Sequence, residues 1–106
     1  MNTNLKYAVI LGLAAALATP AFAQYNGADT YKTKCQMCHG VDGMGMTPAG
    51  KALKAASFKT PALIKSSDAD LITAVKNGKN KMPGYAGKLT DAQIKSVVGY
   101  IRTLQK

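Results

Sequence analysis

The stretch Cys35-Gln36-Met37-Cys38-His39-Gly40 holds both cysteines and the only histidine of the chain. Thiols and imidazoles do three kinds of chemistry at such spacing: they bind zinc, exchange disulfides, or anchor a cofactor. A closed zinc site takes four protein ligands and a catalytic one takes three. Because His39 is adjacent to Cys38, these three side chains cannot easily converge on one tetrahedron. Only carboxylates such as Asp42 remain to complete it. A redox Cys-X-X-Cys pair belongs at a helix N-terminus after a strand, where the dipole lowers the thiol pKa. Here the residues before Cys35 read as a helix, with no strand pattern ahead of them. A structural disulfide would suit an exported protein but leaves His39 unexplained.

Cys-X-X-Cys-His as a covalent haem anchor accounts for all three residues. Thiols at i and i+3 project from one helical face, so Cys35 and Cys38 can each add to a vinyl group at one porphyrin edge. His39 then lies where its imidazole can bind the iron. With no second histidine, bis-histidine ligation is excluded, and the sixth position falls to a methionine, to another weak ligand such as lysine, or to nothing. Met37 sits between the cysteines and cannot reach the opposite face; Met44 and Met46 would have to wrap the haem edge within a few residues. Met82 stands in Lys81-Met82-Pro83-Gly84-Tyr85, where Pro83 and Gly84 exclude a continuing helix and favour a loop laid over the other face. Met82 is the expected sixth ligand.

The elements that must position these residues read as helices. Asn26 caps a first helix that carries Ala28, Tyr31, Cys35 and Cys38 along one face. Residues 40–50, rich in glycine, read as an irregular loop, followed by a short helical turn over Lys51 to Lys54. Thr60-Pro61 opens another helix. Ser67 caps a helix ending at Asn77-Gly78, with Asp70 where a capping box usually has Glu or Gln. Thr90 and Gln93 form a capping box for a last helix from Asp91 to about Leu104. Ile94, Val97, Val98, Ile101 and Leu104 give that helix a core-facing stripe. Its Gly99 either admits a close helix neighbour or is simply exposed. No alternating strand pattern occurs, so the expected fold is all-α.

The opening residues carry an export pattern: Lys6, an apolar run from Ala8 to Ala18, a break at Thr19-Pro20 and small residues at Ala21 and Ala23. The run is well short of the roughly 20 residues a spanning helix needs. Residues 1–23 are therefore expected to be a cleaved secretory signal, leaving 24–106 as one small domain that does not itself cross a membrane. Of the 106 residues, 83 remain after that cleavage, with one phenylalanine and no tryptophan. So small a core needs a further filler or staple. The formal charge of +9 becomes +8 once Lys6 is removed. Such a balance steers toward acidic partners. Export, and basic residues not clustered with exposed aromatics, argue against nucleic acid.

Taken together, these residues resemble the small bacterial monohaem cytochromes c of class I. The resemblance spans the whole segment after the signal and rests on Cys35-Gln36-Met37-Cys38-His39 and on Lys81-Met82-Pro83-Gly84-Tyr85. Two quieter matches join them: Gly27 and Tyr31 in the first helix, and Val97 and Tyr100 in the last, which in the family pack together where the terminal helices cross. The resemblance implies helices wrapped around one covalently bound haem c, ligated by His39 and Met82. It also implies that Pro48 supplies the carbonyl that hydrogen-bonds the other nitrogen of His39. The function so implied is a monomeric, non-enzymatic periplasmic carrier of single electrons, passing them through an exposed haem edge. Its partners would be redox proteins with acidic docking surfaces, including membrane-bound oxidases or reductases. Lys79, Lys81 and Lys88 would form a basic rim about the Met82 loop. The rival function is a haem protein with a labile sixth position that acts on or senses peroxide or nitric oxide. A third is a subunit permanently docked in a larger complex.

Overall fold

A computed structural model describes residues 26–106; the expected signal, residues 1–23, lies outside them. Six helices follow in chain order: α1 (Gly27–Lys34), α2 (Gln36–His39), α3 (Pro48–Leu53), α4 (Pro61–Lys65), α5 (Asp68–Asn77) and α6 (Asp91–Leu104). Among the described residues β-pairing is confined to two isolated bridges, Lys79 with Met82 and Ala86 with Leu89. No described helix is long and apolar enough to cross a membrane.

Helices α1, α3, α5 and α6 each start where a side chain accepts from an orphan N–H group. The Asn26 carboxamide accepts from Ala28 and Asp29, and the Ser67 hydroxyl accepts from Asp70 at 3.0 Å. Thr90 and Gln93 cap one another reciprocally: the Gln93 N–H donates to the Thr90 hydroxyl at 3.1 Å, and the Thr90 N–H to Gln93 Oε1 at 2.8 Å. The glycine-rich segment is less irregular than its composition predicts. Thr47 caps α3 and Pro48 opens it, so that helix begins three residues before the expected turn at Lys51.

Helix α6 is the spine of the domain. Its apolar stripe splits between two buried clusters. Val97 and Ile101 pack with Tyr31 and Phe58, whereas Ile94 and Val98 pack with Val75 and Leu89. Leu104 completes the expected stripe at the edge of the first cluster. On α1 the buried side chains are Thr30 and Tyr31; Ala28, expected on that face, is exposed, because Gly27 and not Ala28 meets α6. The Tyr31 and Tyr100 rings lie 5.1 Å apart at this crossing.

The crossing depends on Gly27. A Cβ there would stand 2.2 Å from the Ser96 carbonyl oxygen, an overlap that only separating the helices relieves. Gly99, by contrast, meets nothing within 4 Å and is the exposed alternative. Gly27→Ala should therefore destabilise the protein by about 1–3 kcal/mol through forced separation of α1 and α6. Gly99→Ala should be neutral or stabilising by up to about 1 kcal/mol, through helix propensity alone. Guanidinium unfolding midpoints of the two variants check both.

Candidate cofactor site

The Cys-His segment forms a kinked continuation of α1. Cys35 ends α1, donating its N–H to Tyr31 at 2.9 Å, and its own carbonyl accepts from His39 at 3.0 Å. Gly40, at φ +83°, stops α2. The Thr47 hydroxyl then joins α2 to α3: it reaches the Met37 and Cys38 carbonyls at 2.6 and 3.0 Å while accepting from Gly50 at 2.9 Å. One hydroxyl thus serves the carbonyl end of α2 and the N–H end of α3. The Tyr31 hydroxyl donates to the Gly40 carbonyl at 2.6 Å, tying the end of the motif to the buried α1–α6 crossing.

Met82 arrives on a loop with no helix of its own. Lys79 and Met82 exchange backbone hydrogen bonds of 3.1 and 2.9 Å around a tight turn, with Asn80 in the left-handed region at φ 54°. Beyond it, the N–H groups of Tyr85 and Ala86 donate to Val75 and Lys76 near the end of α5, at 2.9 and 3.0 Å. The Tyr85 hydroxyl donates to the Lys34 carbonyl at 3.0 Å, latching this loop to the helix that ends in Cys35.

Cys35, Cys38, His39 and Met82 all line one cleft of about 200 Å³. Its walls include Phe58, Leu63, Leu71, Val75 and Ile101, drawn from both core clusters and the elements between them. Met37, Met44 and Met46 do not line it; Met37 is 79% exposed, and Met44 sulfur accepts from the Ser57 hydroxyl at 3.6 Å. Lys34, Lys54, Lys79 and Lys81 contribute to the lining, and no carboxylate does. Lys88, expected in the same rim, does not line the cleft itself but sits over the ring of Tyr85, which does, 5.8 Å from its centroid.

Three ionisable groups of the cleft, Cys35, His39 and Tyr85, are driven toward their neutral forms. Burial, and secondarily the neighbouring Cys38, push the Cys35 thiol up to about 11. That is the reverse of what a redox-active dithiol requires. Burial lowers the pKa of His39, partly offset by its hydrogen bond to the Ala56 carbonyl. His39 Nδ1 lies 3.3 Å from that oxygen. A carbonyl can only accept, so Nδ1 carries the proton and Nε2 keeps a free lone pair, the tautomer a metal ligand needs. Burial, then Cys35 and Cys38, hold the Tyr85 hydroxyl protonated.

The carbonyl partner of His39 is thus that of Ala56, not Pro48. Pro48 is the first residue of α3, where a carbonyl points along the helix axis into the helical ladder. Ala56 lies in the irregular stretch after α3, where a carbonyl is free to turn inward. Sequence reasoning also left out Phe58, whose ring stacks on His39, and the cleft lysines Lys34 and Lys54. Phe58 carried one signal: it is the only phenylalanine after the export segment.

These residues fit a haem. Two free thiols one helical turn apart, a neutral imidazole and a thioether share an apolar cleft larger than a side chain would fill. Comparison with known proteins agrees. Residues 23–101 match the family described as cytochrome c oxidase, cbb3-type, subunit III. Cytochrome c6 of Synechococcus sp. (strain ATCC 27167 / PCC 6312) is 38% identical over 87 residues, covering 80% of this chain and 75% of that protein.

This chain is a class I c-type cytochrome. Cytochrome c6 of Nostoc sp. (strain PCC 7120 / SAG 25.82 / UTEX 2576) is 37% identical over 98 residues, covering 88% of this chain and 86% of the relative. Among solved structures, the KustC0563 c-type cytochrome superposes with a TM-score of 0.69 at 32% identity, covering 76% of this chain and 99% of that one. The all-α cytochrome c fold, one covalently bound haem c and electron transport follow from this membership.

Without the haem the cleft is a liability. If fully enclosed, an apolar void of about 200 Å³ would cost at most on the order of 5 kcal/mol at roughly 24 cal/mol per Å³, and this one is partly open to solvent. That upper bound is comparable with the whole stability of a small domain. A Cys35→Ser, Cys38→Ser double variant, which cannot attach haem covalently, should lose most of its far-UV helical signal at 25 °C once freed of cofactor. Circular dichroism beside the haem-loaded parent measures the loss.

Proposed function

We propose that this cytochrome is a periplasmic carrier that passes single electrons between redox proteins, using a haem c held by Cys35, Cys38, His39 and Met82. One observation carries the reading: these four side chains line a single cleft, and of the four described methionines Met82 alone does so. When bound, the haem supplies one-electron chemistry between ferrous and ferric iron. Cys35 and Cys38 would hold it through thioether bonds, which do not dissociate. His39 donates through Nδ1 to Ala56 and offers Nε2 to the metal. Met82 offers a soft thioether, which favours the reduced state and raises the potential.

With His39 and Met82 both holding the iron, a bound haem would keep no coordination site for a substrate, so the chemistry would be transfer and not catalysis. Lys34, Lys54, Lys79 and Lys81 give the cleft a positive surround with no acidic counterpart, which steers partners that present carboxylates. The protein acts as a monomer. Residues 1–23 direct export and are removed, so the working chain is 24–106.

Met82→Ala should abolish the methionine-to-ferric-iron charge-transfer band and let carbon monoxide bind the ferrous protein, whereas Met44→Ala and Met46→Ala should leave the spectrum intact. Ready carbon monoxide binding by the unsubstituted protein at neutral pH would favour a labile sixth position and sink the carrier reading. Intact-mass measurement of the exported protein should give residues 24–106 plus one haem. A mass that retained any of residues 1–23 would refute the cleavage site.

A further inference from the structure

On the His39 side of the cleft lies a set of contacts that electron carriage does not by itself require. The Phe58 ring stacks on the His39 imidazole, with centroids 4.5 Å apart and planes within 24°. The hydrogen bond from His39 Nδ1 to Ala56 is long, at 3.3 Å, and one long bond leaves an imidazole free to rock about it. A flat neighbour across its face removes that freedom. Ala56 and Phe58 belong to the same irregular stretch after α3, so one piece of backbone delivers both the acceptor and the ring.

That piece of backbone is anchored at both ends. The Ala55 N–H donates to Gly50 at 2.8 Å, and the Phe58 N–H to Gly43 at 2.9 Å. From the far end of the chain, Gln105 Nε2 donates to the Phe58 carbonyl at 3.0 Å. Arg102 decides which way the Gln105 amide faces. A guanidinium only donates, and Arg102 Nη1 lies 3.0 Å from Gln105 Oε1. The amide nitrogen is therefore left to face Phe58. Arg102 is itself fixed by Asp68 at 2.9 Å and by the carbonyls of Leu63, Ile64 and Ser66.

We propose that Phe58 is a positioning residue that sets the orientation of the His39 imidazole plane, held in place by a brace in which Arg102 orients Gln105. The proposal rests on His39 being an iron ligand. The plane of that ligand governs how its π orbitals overlap the iron d orbitals, and hence how unpaired spin spreads over the ferric haem. Stacking on Phe58 fixes the plane; the brace fixes Phe58.

The test is proton NMR of the ferric, haem-loaded protein, reading the order and spacing of the hyperfine-shifted haem methyl resonances, beside guanidinium unfolding. Gln105→Glu keeps the side-chain length and a charged contact to Arg102 but cannot donate to the Phe58 carbonyl. It should change the spacing of the methyl resonances while leaving the unfolding midpoint little altered. Phe58→Leu keeps an apolar filler without a flat face and should change the order of the methyls more strongly, with the charge-transfer band of Met82 retained. If either folded variant shifts only the midpoint and reproduces the parental methyl pattern, the proposal is overturned. Should Phe58→Leu fail to fold, Gln105→Glu decides alone. Absence of hyperfine-shifted His39 imidazole protons in the unsubstituted protein would overturn the ligand assignment, and this proposal with it, before any variant is made.

Discussion

An apolar cleft too large for the chain's own side chains to fill sets the terms for the rest of this fold. The two small clusters on α6 do not merge into one core. Val97 and Ile101 serve one, Ile94 and Val98 the other, and residues of both turn toward the cleft. Everything that fixes α6 therefore fixes the cleft. The reciprocal Thr90–Gln93 cap sets where the helix starts, and the Gly27 crossing sets how closely α1 approaches it. Arg102 ties its last turn to α4 and α5. A bound haem would thus be both a cofactor and the filler between two small clusters.

Charge is arranged around this interior and not within it. The Cys35 thiol is pushed up, the imidazole of His39 is pushed down, and Tyr85 is held protonated, in each case chiefly by burial. The lysines that line the cleft are all exposed. A neutral, low-dielectric interior with a cationic surround disfavours extra positive charge inside it, while it attracts negative surfaces from outside. The exposed pair of Lys76 and Asp91 at 3.2 Å adds little to either effect.

What could be read from the sequence was local chemistry. Caps at Asn26, Ser67 and Thr90 each depend on a side chain and backbone two or three residues away, and the structure shows all three. The Cys35–His39 motif is local in the same sense. The place of Met82 in a loop beside the cleft was legible because Pro83 and Gly84 exclude a helix there. The start of α3 was obscured because glycines at positions 43 and 45 masked a Thr47 cap followed by Pro48. Assigning the His39 acceptor to Pro48 failed for a related reason, since a proline that opens a helix has committed its carbonyl. The stacking of Phe58, and the reach of Gln105 across 47 positions to its carbonyl, leave no periodicity or spacing to detect. Ala28 and Gly27 show the finest limit: the helix was read correctly, but the close approach at Gly27 rotated its buried face by one residue.

The Met82 loop is pinned on both sides, by its own turn at Lys79 and by Tyr85 and Ala86 against the end of α5. The Tyr85 latch to Lys34 then couples it to the helix bearing the cysteines. A side chain carried on backbone so constrained has little room to relax when the charge beside it changes by one. In the proposed role this means a small reorganisation energy: the two oxidation states would share nearly one geometry, and the barrier to transfer would lie mainly in the partner and the solvent. In that role an irregular loop, soft by composition, would be what keeps the redox centre stiff.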